Sequence, residues 1–170
     1  MIAATHSFKT TTVTPLTLQL ASELINHGAD RERIIQNLYR TRSLSTLKLW
    51  GIALSKLKID AAKHFAWSSI TKEDFSVSGS SKNDLKDIVS ELISNSPEID
   101  LTMLLFENES ADGKKGVEIV LHSKKGHNTQ MLLKKYNSTG TKNESTAIIT
   151  ETNIVDAEKN IVEEIKKSLS

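Results

Sequence analysis

The spacing of apolar residues changes character partway along the chain. Up to about residue 60 they recur at helical intervals; beyond it, short continuous or alternating apolar runs are interleaved with helical ones. Thr14-Pro15 opens the first helix, because threonine serves as an N-cap and proline suits the first helical position. Leu16, Leu20, Leu24 and Ile25 follow at helical spacing, and Gly28 ends the run. Asp30 caps a second helix, RERIIQNLYR, with Ile34, Ile35 and Leu38 inward. Ser43 caps a third, LSTLKLWGIALSKLKI, whose Leu44, Leu47, Trp50/Gly51, Leu54 and Leu57 form one apolar stripe. Packing of that stripe predicts a cost of about 2–5 kcal/mol for Leu54→Ala.

From residue 60 on, HFAWSSI (64–70), IDLTMLLFE (99–107), GVEIVLHS (116–123) and STAIIT (145–150) read as strands. TKEDF is a turn or short helix, and SVSGSSKND (76–84) is a Ser/Gly loop. Asp84 caps a helix with Leu85, Ile88, Val89, Leu92 and Ile93, which Asn95-Ser96-Pro97 stops. An Asp112-Gly113 turn joins two of the strands, and HNTQMLLKKY forms a short helix. The last helix, 154–169, is amphipathic, with Ile154, Ala157, Ile161 and Ile165 on one face. MIAAT (1–5) reads as the end of a buried strand and SFKTTTVT (7–14) as a loop. The fold class is therefore α/β: a helical segment and connector helix, then a lobe with a mixed sheet flanked by helices. The boundary falls near residue 60, dividing the chain into 1–60 and 61–170.

Composition narrows the function classes more than it identifies one. A net charge of +1 supplies no global field for polyanions, so any phosphate contact must come from a local patch. The absence of cysteine excludes disulfides, thiol catalysis and thiolate zinc sites, and fits a reducing cytoplasm. No apolar run approaches the roughly 20 residues of a membrane-spanning helix. The five histidines, His6, His27, His64, His122 and His127, have no i, i+3 or i, i+4 partner, which leaves no metal-ligand spacing. There is no Gly-x-Ser-x-Gly elbow, Walker loop or dinucleotide fingerprint, and no catalytic residue is assigned.

One local cluster stands out. His122, Ser123, Lys124 and Lys125 end a strand; Lys134 and Lys135, then Asn137, Ser138, Thr139, Gly140, Thr141, Lys142 and Asn143, run from a helix end into the next strand. Where those ends meet, they form a shallow cationic pocket with hydroxyl and backbone donors, suited to phosphate or carboxylate. The other reading is a solvated lysine face beside a connecting loop.

Three stretches carry a resemblance: ATHSFKTTTVTPLTLQLASELINHGAD, LYRTRSLSTLKLWGIALSKLKI and EIVLHSKKGHNTQMLLKKYNSTGTKNESTAII. Together they resemble the C-terminal part of the DHH/DHHA1 phosphoesterases, the RecJ-like group that includes oligoribonucleases and phosphoadenosine-phosphate phosphatases. The resemblance implies the end of the catalytic lobe and the connector helix in 1–60, and a DHHA1-like substrate-binding lobe in 61–170. It also implies two manganese ions in the full-length family, held by aspartates and an Asp-His-His motif that precede this region. One such aspartate is matched here by Ala4, which cannot ligate. The family's Arg-Ser strand end is His122-Ser123, and its Gly-Gly-Gly-His run is Asn137-Ser138-Thr139-Gly140 followed by Thr141. Gly140, Lys142, Asn143 and Ser145 remain similar to the family.

Each replacement has a physical consequence. Arginine grips phosphate bidentately, whereas histidine offers one donor. Asn, Ser and Thr add Cβ atoms where a backbone must approach a ligand closely. The resemblance thus implies a chain that holds no metal and does not hydrolyse phosphoesters alone. It implies weak binding of a nucleotide or short single-stranded oligonucleotide through His122, Ser123, Lys124 and Asn137 to Asn143. Its partners would be the missing DHH lobe and a second copy in a homodimer. The alternative is a non-catalytic nucleotide-binding, protein-interaction or dimerisation module.

Overall fold

The structure, a computed structural model, describes residues 2, 5, 8, 13–39, 43–85, 88–89, 96–109, 115–124 and 126–169. Ala4, the Asp112-Gly113 turn, Lys125, the Leu38 side chain and most of the helix expected after Asp84 lie outside the described residues; of the strand expected at 1–5, the described Ile2 and Thr5 lie in turns. The chain forms two compact units, Met1–Ser43 and Leu44–Ser170.

The first unit holds α1 (Pro15–Asn26) and α2 (Arg31–Tyr39). Thr14 and Thr17 cap α1 reciprocally: the Thr14 hydroxyl accepts from the Thr17 amide at 3.2 Å, and the Thr17 hydroxyl accepts from the Thr14 amide at 3.3 Å. Gly28, at φ 91°, turns the chain out of α1. The Asp30 carboxylate then accepts from the Arg33 amide at 2.9 Å, which starts α2 as its sequence predicts. No residue of α1 is buried: Leu16, Leu20, Leu24 and Ile25 are all exposed.

The second unit is built on one mixed six-stranded sheet, order β1-β2-β3-β4-β6-β5. Its strands are β1 (Lys58–Asp60), β2 (Phe65–Ile70), β3 (Leu101–Glu109), β4 (Lys115–Ser123), β5 (Thr139–Gly140) and β6 (Glu144–Thr150). β2 and β3 run parallel; every other pairing is antiparallel. The helices are α3 (Leu44–Ser55), α4 (Lys72–Ser78), α5 (Thr129–Leu132) and α6 (Ile154–Ser168). Among the described residues no helix is long and apolar enough to cross a membrane.

Strand alternation sorts the core into two layers. Phe65, Met103, Leu105, Ile119, Leu121 and Ala147 point to one face and pack against Ile154, Ala157, Ile161 and Ile165 of α6, the four positions its period predicts. Leu104, Phe106 and Ile70 point to the other face and meet Leu49, Trp50 and Ala53 of α3, with Leu85, Ile88 and Val89. α3 therefore covers the β2–β3 side of that face.

Three expectations are corrected. The third helix ends at Ser55, and Lys58–Asp60 pairs with β2 as a short edge strand instead of continuing the helix. The buried face of α3 is Thr46, Leu49, Trp50 and Ala53, while Leu44, Leu47 and Leu54 are exposed. Side-chain anchors set this roll of the helix: Trp50 Nε1 donates to the Asp84 carbonyl at 2.9 Å, Thr46 donates to the Asp84 carboxylate, and Ser68 donates to the Ala53 carbonyl at 2.7 Å. Finally, the expected Ser/Gly loop begins as helix. α4 runs to Ser78 behind a Thr71–Asp74 capping box and stops at Gly79, φ 66°.

Leu49 is fully buried and Leu54 is 42% exposed. Leu49→Ala should cost about 2–5 kcal/mol in chemical denaturation, and Leu54→Ala less than about 1 kcal/mol. Equal losses would contradict the observed orientation of α3.

Candidate functional site

β4 carries Glu118, Val120 and His122 on the face away from α6. Register sets Phe106 and Leu104 of β3 opposite Glu118 and Val120, and Thr146 and Glu144 of β6 opposite Val120 and His122. The α3 layer does not reach this side of the sheet, and a cavity of about 290 Å³ remains. Leu104, Phe106 and Val120 line it from the sheet, Leu85 and Val89 from the side, and Lys82, Asn83, Glu118, His122, Glu144 and Thr146 supply its polar lining.

The charges in the cavity are arranged. Glu118 is only 9% exposed, so its carboxylate requires partners. Lys82 pairs with it, and Asn108 donates to it at 2.8 Å. The same ammonium lies 5.5 Å from the centroid of the Phe106 ring. Burial pushes the His122 imidazole below its usual pKa, against the opposing pull of the Glu144 carboxylate.

The strand end and the loop do meet: the Ser123 amide donates to the Asn143 carbonyl at 2.7 Å. They do not present one surface, however. His122 lies on the cavity face, and Thr139 shares a 3.2 Å hydrogen bond with Thr146 at its edge. Ser123 is buried on the opposite face. Lys124 is exposed, its ammonium 3.4 Å from the Ser96 carbonyl.

Residues 137–143 form a turn in a β-hairpin, with Thr139 and Gly140 paired to Thr146 and Ser145. Asn137, at φ 49°, accepts the left-handed geometry that asparagine tolerates. The turn's polar groups largely satisfy one another. The Thr141 amide donates to the Glu144 carbonyl, and the Thr141 hydroxyl accepts from the amides of Asn143 at 3.3 Å and Glu144 at 3.2 Å. From α5, the Thr129 amide donates to the Lys142 carbonyl at 2.9 Å, the Thr129 hydroxyl to the Thr141 carbonyl at 3.0 Å, and Gln130 to the Gly140 carbonyl at 2.8 Å. Lys142 and Asn143 remain exposed.

Sequence reasoning missed Lys82, Asn83, Glu118, Glu144 and Thr146. Glu118 left a signal, a lone carboxylate inside the apolar run GVEIVL. Among the described residues no three His, Asp or Glu side chains come together in a way that could hold a metal ion.

Solved structures share this fold. An exopolyphosphatase-related protein from Bacteroides fragilis superposes with a TM-score of 0.85 at 24% identity, over 99% of this chain and 48% of its own. A pGpG-specific phosphodiesterase from Vibrio cholerae gives 0.51 at 13% identity, over 92% of this chain and 52% of its own. The chain thus spans about half the length of the structures it matches. No family model matches it, and no curated protein matches it in sequence. The chain shares its fold with about half of each of these two proteins.

Two consequences can be measured. A Cβ at Gly140, φ 133°, would sit 2.3 Å from the Glu144 carbonyl oxygen and 2.8 Å from Ser145 Cα. Gly140→Ala should therefore cost more than about 1 kcal/mol and open the hairpin to amide exchange; unchanged stability and exchange would show that the hairpin is not packed this way. His122 binds its proton less readily folded than unfolded, where its pKa is near the ordinary 6.5. Its contribution is full above that value and is lost as pH falls through it. Thermal melts should show stability declining below about pH 6.5, with a shallower decline in His122→Gln; identical profiles would contradict the assigned environment.

Proposed function

We propose that this chain is the C-terminal, substrate-binding part of a RecJ-like DHH/DHHA1 phosphoesterase homologue. In this reading residues 1–60 form the end of the catalytic lobe and the connector helix, and residues 61–170 the DHHA1-like lobe. The observation that supports it most is the fold likeness, at TM-score 0.85, to about half of an exopolyphosphatase-related protein. The three resembling stretches point the same way.

The chain's own residues then account for binding rather than bond cleavage. Phosphoester hydrolysis in such a family needs carboxylates that hold cations and generate a hydroxide nucleophile. That set does not converge among the described residues. Lys142 offers a point charge to phosphate at an exposed turn, and His122 a single, mostly neutral ring beside the cavity. Both are weaker grips than a bidentate arginine. A nucleotide or short single-stranded oligonucleotide is accordingly held weakly, and catalysis requires the DHH lobe with its manganese.

A specific observation favours a second reading, a non-catalytic binding or dimerisation module. Leu44, Leu47 and Leu54 of α3 present an exposed apolar face of the kind partner surfaces cover.

Incubation with manganese and short oligoribonucleotides, or with 3'-phosphoadenosine 5'-phosphate, should give no turnover that follows the purified chain; turnover tracking the protein would overturn the reading. Lys142→Ala should weaken oligonucleotide binding and lower its salt slope by about one contact, with the fold intact. An unchanged slope would remove Lys142 from the phosphate path.

A further inference from the structure

The cavity on the open sheet face does not resemble a phosphate site. Five apolar side chains, Leu85, Val89, Leu104, Phe106 and Val120, make up much of its lining. The Lys82 cation is already neutralised by Glu118. That leaves the Glu144 carboxylate, which faces the His122 ring across the strand pair, as the remaining carboxylate acceptor of the lining. A phosphate placed here would meet a carboxylate and lose its hydration against hydrocarbon. The volume, about 290 Å³, lies at the small end of ligand cavities. It calls for a compact group with apolar faces and N–H donors at its edge.

Resting on the reading of the chain as nucleotide-binding, we propose that this cavity is a base subsite selective for guanine. Guanine presents N1–H and the N2 amino group side by side, and a carboxylate accepts both as a charge-assisted pair. Adenine and cytosine set an acceptor nitrogen beside their amino group, and uracil flanks its one N–H with two carbonyls, so each directs a lone pair at Glu144. One face of the guanine lies against Leu104 and Val120. Asn83 and the Thr146 hydroxyl, at the rim, are donors for O6 and N7. With N1 and N2 turned to Glu144, guanine N9 lies on the far side of the ring system, so the ribose and any phosphate extend away from that carboxylate.

The test uses nucleosides, which lack phosphate, on the whole chain. In an amide-resolved NMR titration, guanosine should shift Val120, His122, Glu144 and Thr146, with adenosine and uridine about tenfold weaker or more. Glu144→Gln, at an exposed position, should keep the folded spectrum and lose about tenfold in guanosine affinity. Guanosine that leaves those amides in place, or binds no better than adenosine and is indifferent to Glu144→Gln, overturns the proposal. A parallel titration with inorganic pyrophosphate separates the two readings. Shifts at Lys142 and Asn143 with a guanosine-silent cavity would sink the base subsite and leave the phosphate-binding reading standing. The reverse pattern would keep the base subsite and remove Lys142 and Asn143 from the phosphate path.

Discussion

Side-chain alternation across the antiparallel ladder β3–β4–β6 is the constraint on which the rest of this unit depends. Once Met103, Ile119 and Ala147 are buried under α6, the register commits Leu104, Val120 and Thr146 to the opposite face. α3 covers only the β2–β3 side of that face. The ligand-sized cavity is what remains. A one-residue slip of β4 would turn Glu118 and His122 into the α6 core and destroy core and cavity together.

That constraint also explains the chemistry in the cavity. Glu118 is tolerated at 9% exposure because Lys82 and Asn108 hold its carboxylate. His122 is kept largely neutral by burial, so it acts there as a polar ring and not as a standing cation. Glu144, on the next strand, lines the same cavity opposite His122. The 137–143 turn plays a more structural part than its lysine and hydroxyl content implies: Thr129 and Thr141 consume much of its polar capacity, and its glycine answers the close approach of its own chain at Glu144.

The elements were legible in the sequence wherever a period and a cap agreed. α6 shows all four predicted inward positions, and α1 begins at Thr14-Pro15 as read. The face of α3 was not legible, because its orientation depends on Trp50 and Thr46 reaching Asp84, some 34 and 38 residues on. Nor was β5, whose two residues are too few to carry a period. The sequence singled out His122 and the turn but not the face His122 occupies. Neighbours in sequence, His122 and Ser123 point to opposite sides of the sheet, and Lys82, Glu118 and Glu144 come together only through tertiary structure.

Whether this chain holds a ligand on the open sheet face can be seen in a crystal structure of the whole chain grown with guanosine 5'-monophosphate. The base should lie in the cavity against Leu104 and Val120, with its N1 and N2 edge on Glu144 and its ribose and phosphate directed away from that carboxylate. A nucleotide bound away from this face, or with its phosphate inside the cavity against Glu144, would contradict that placement.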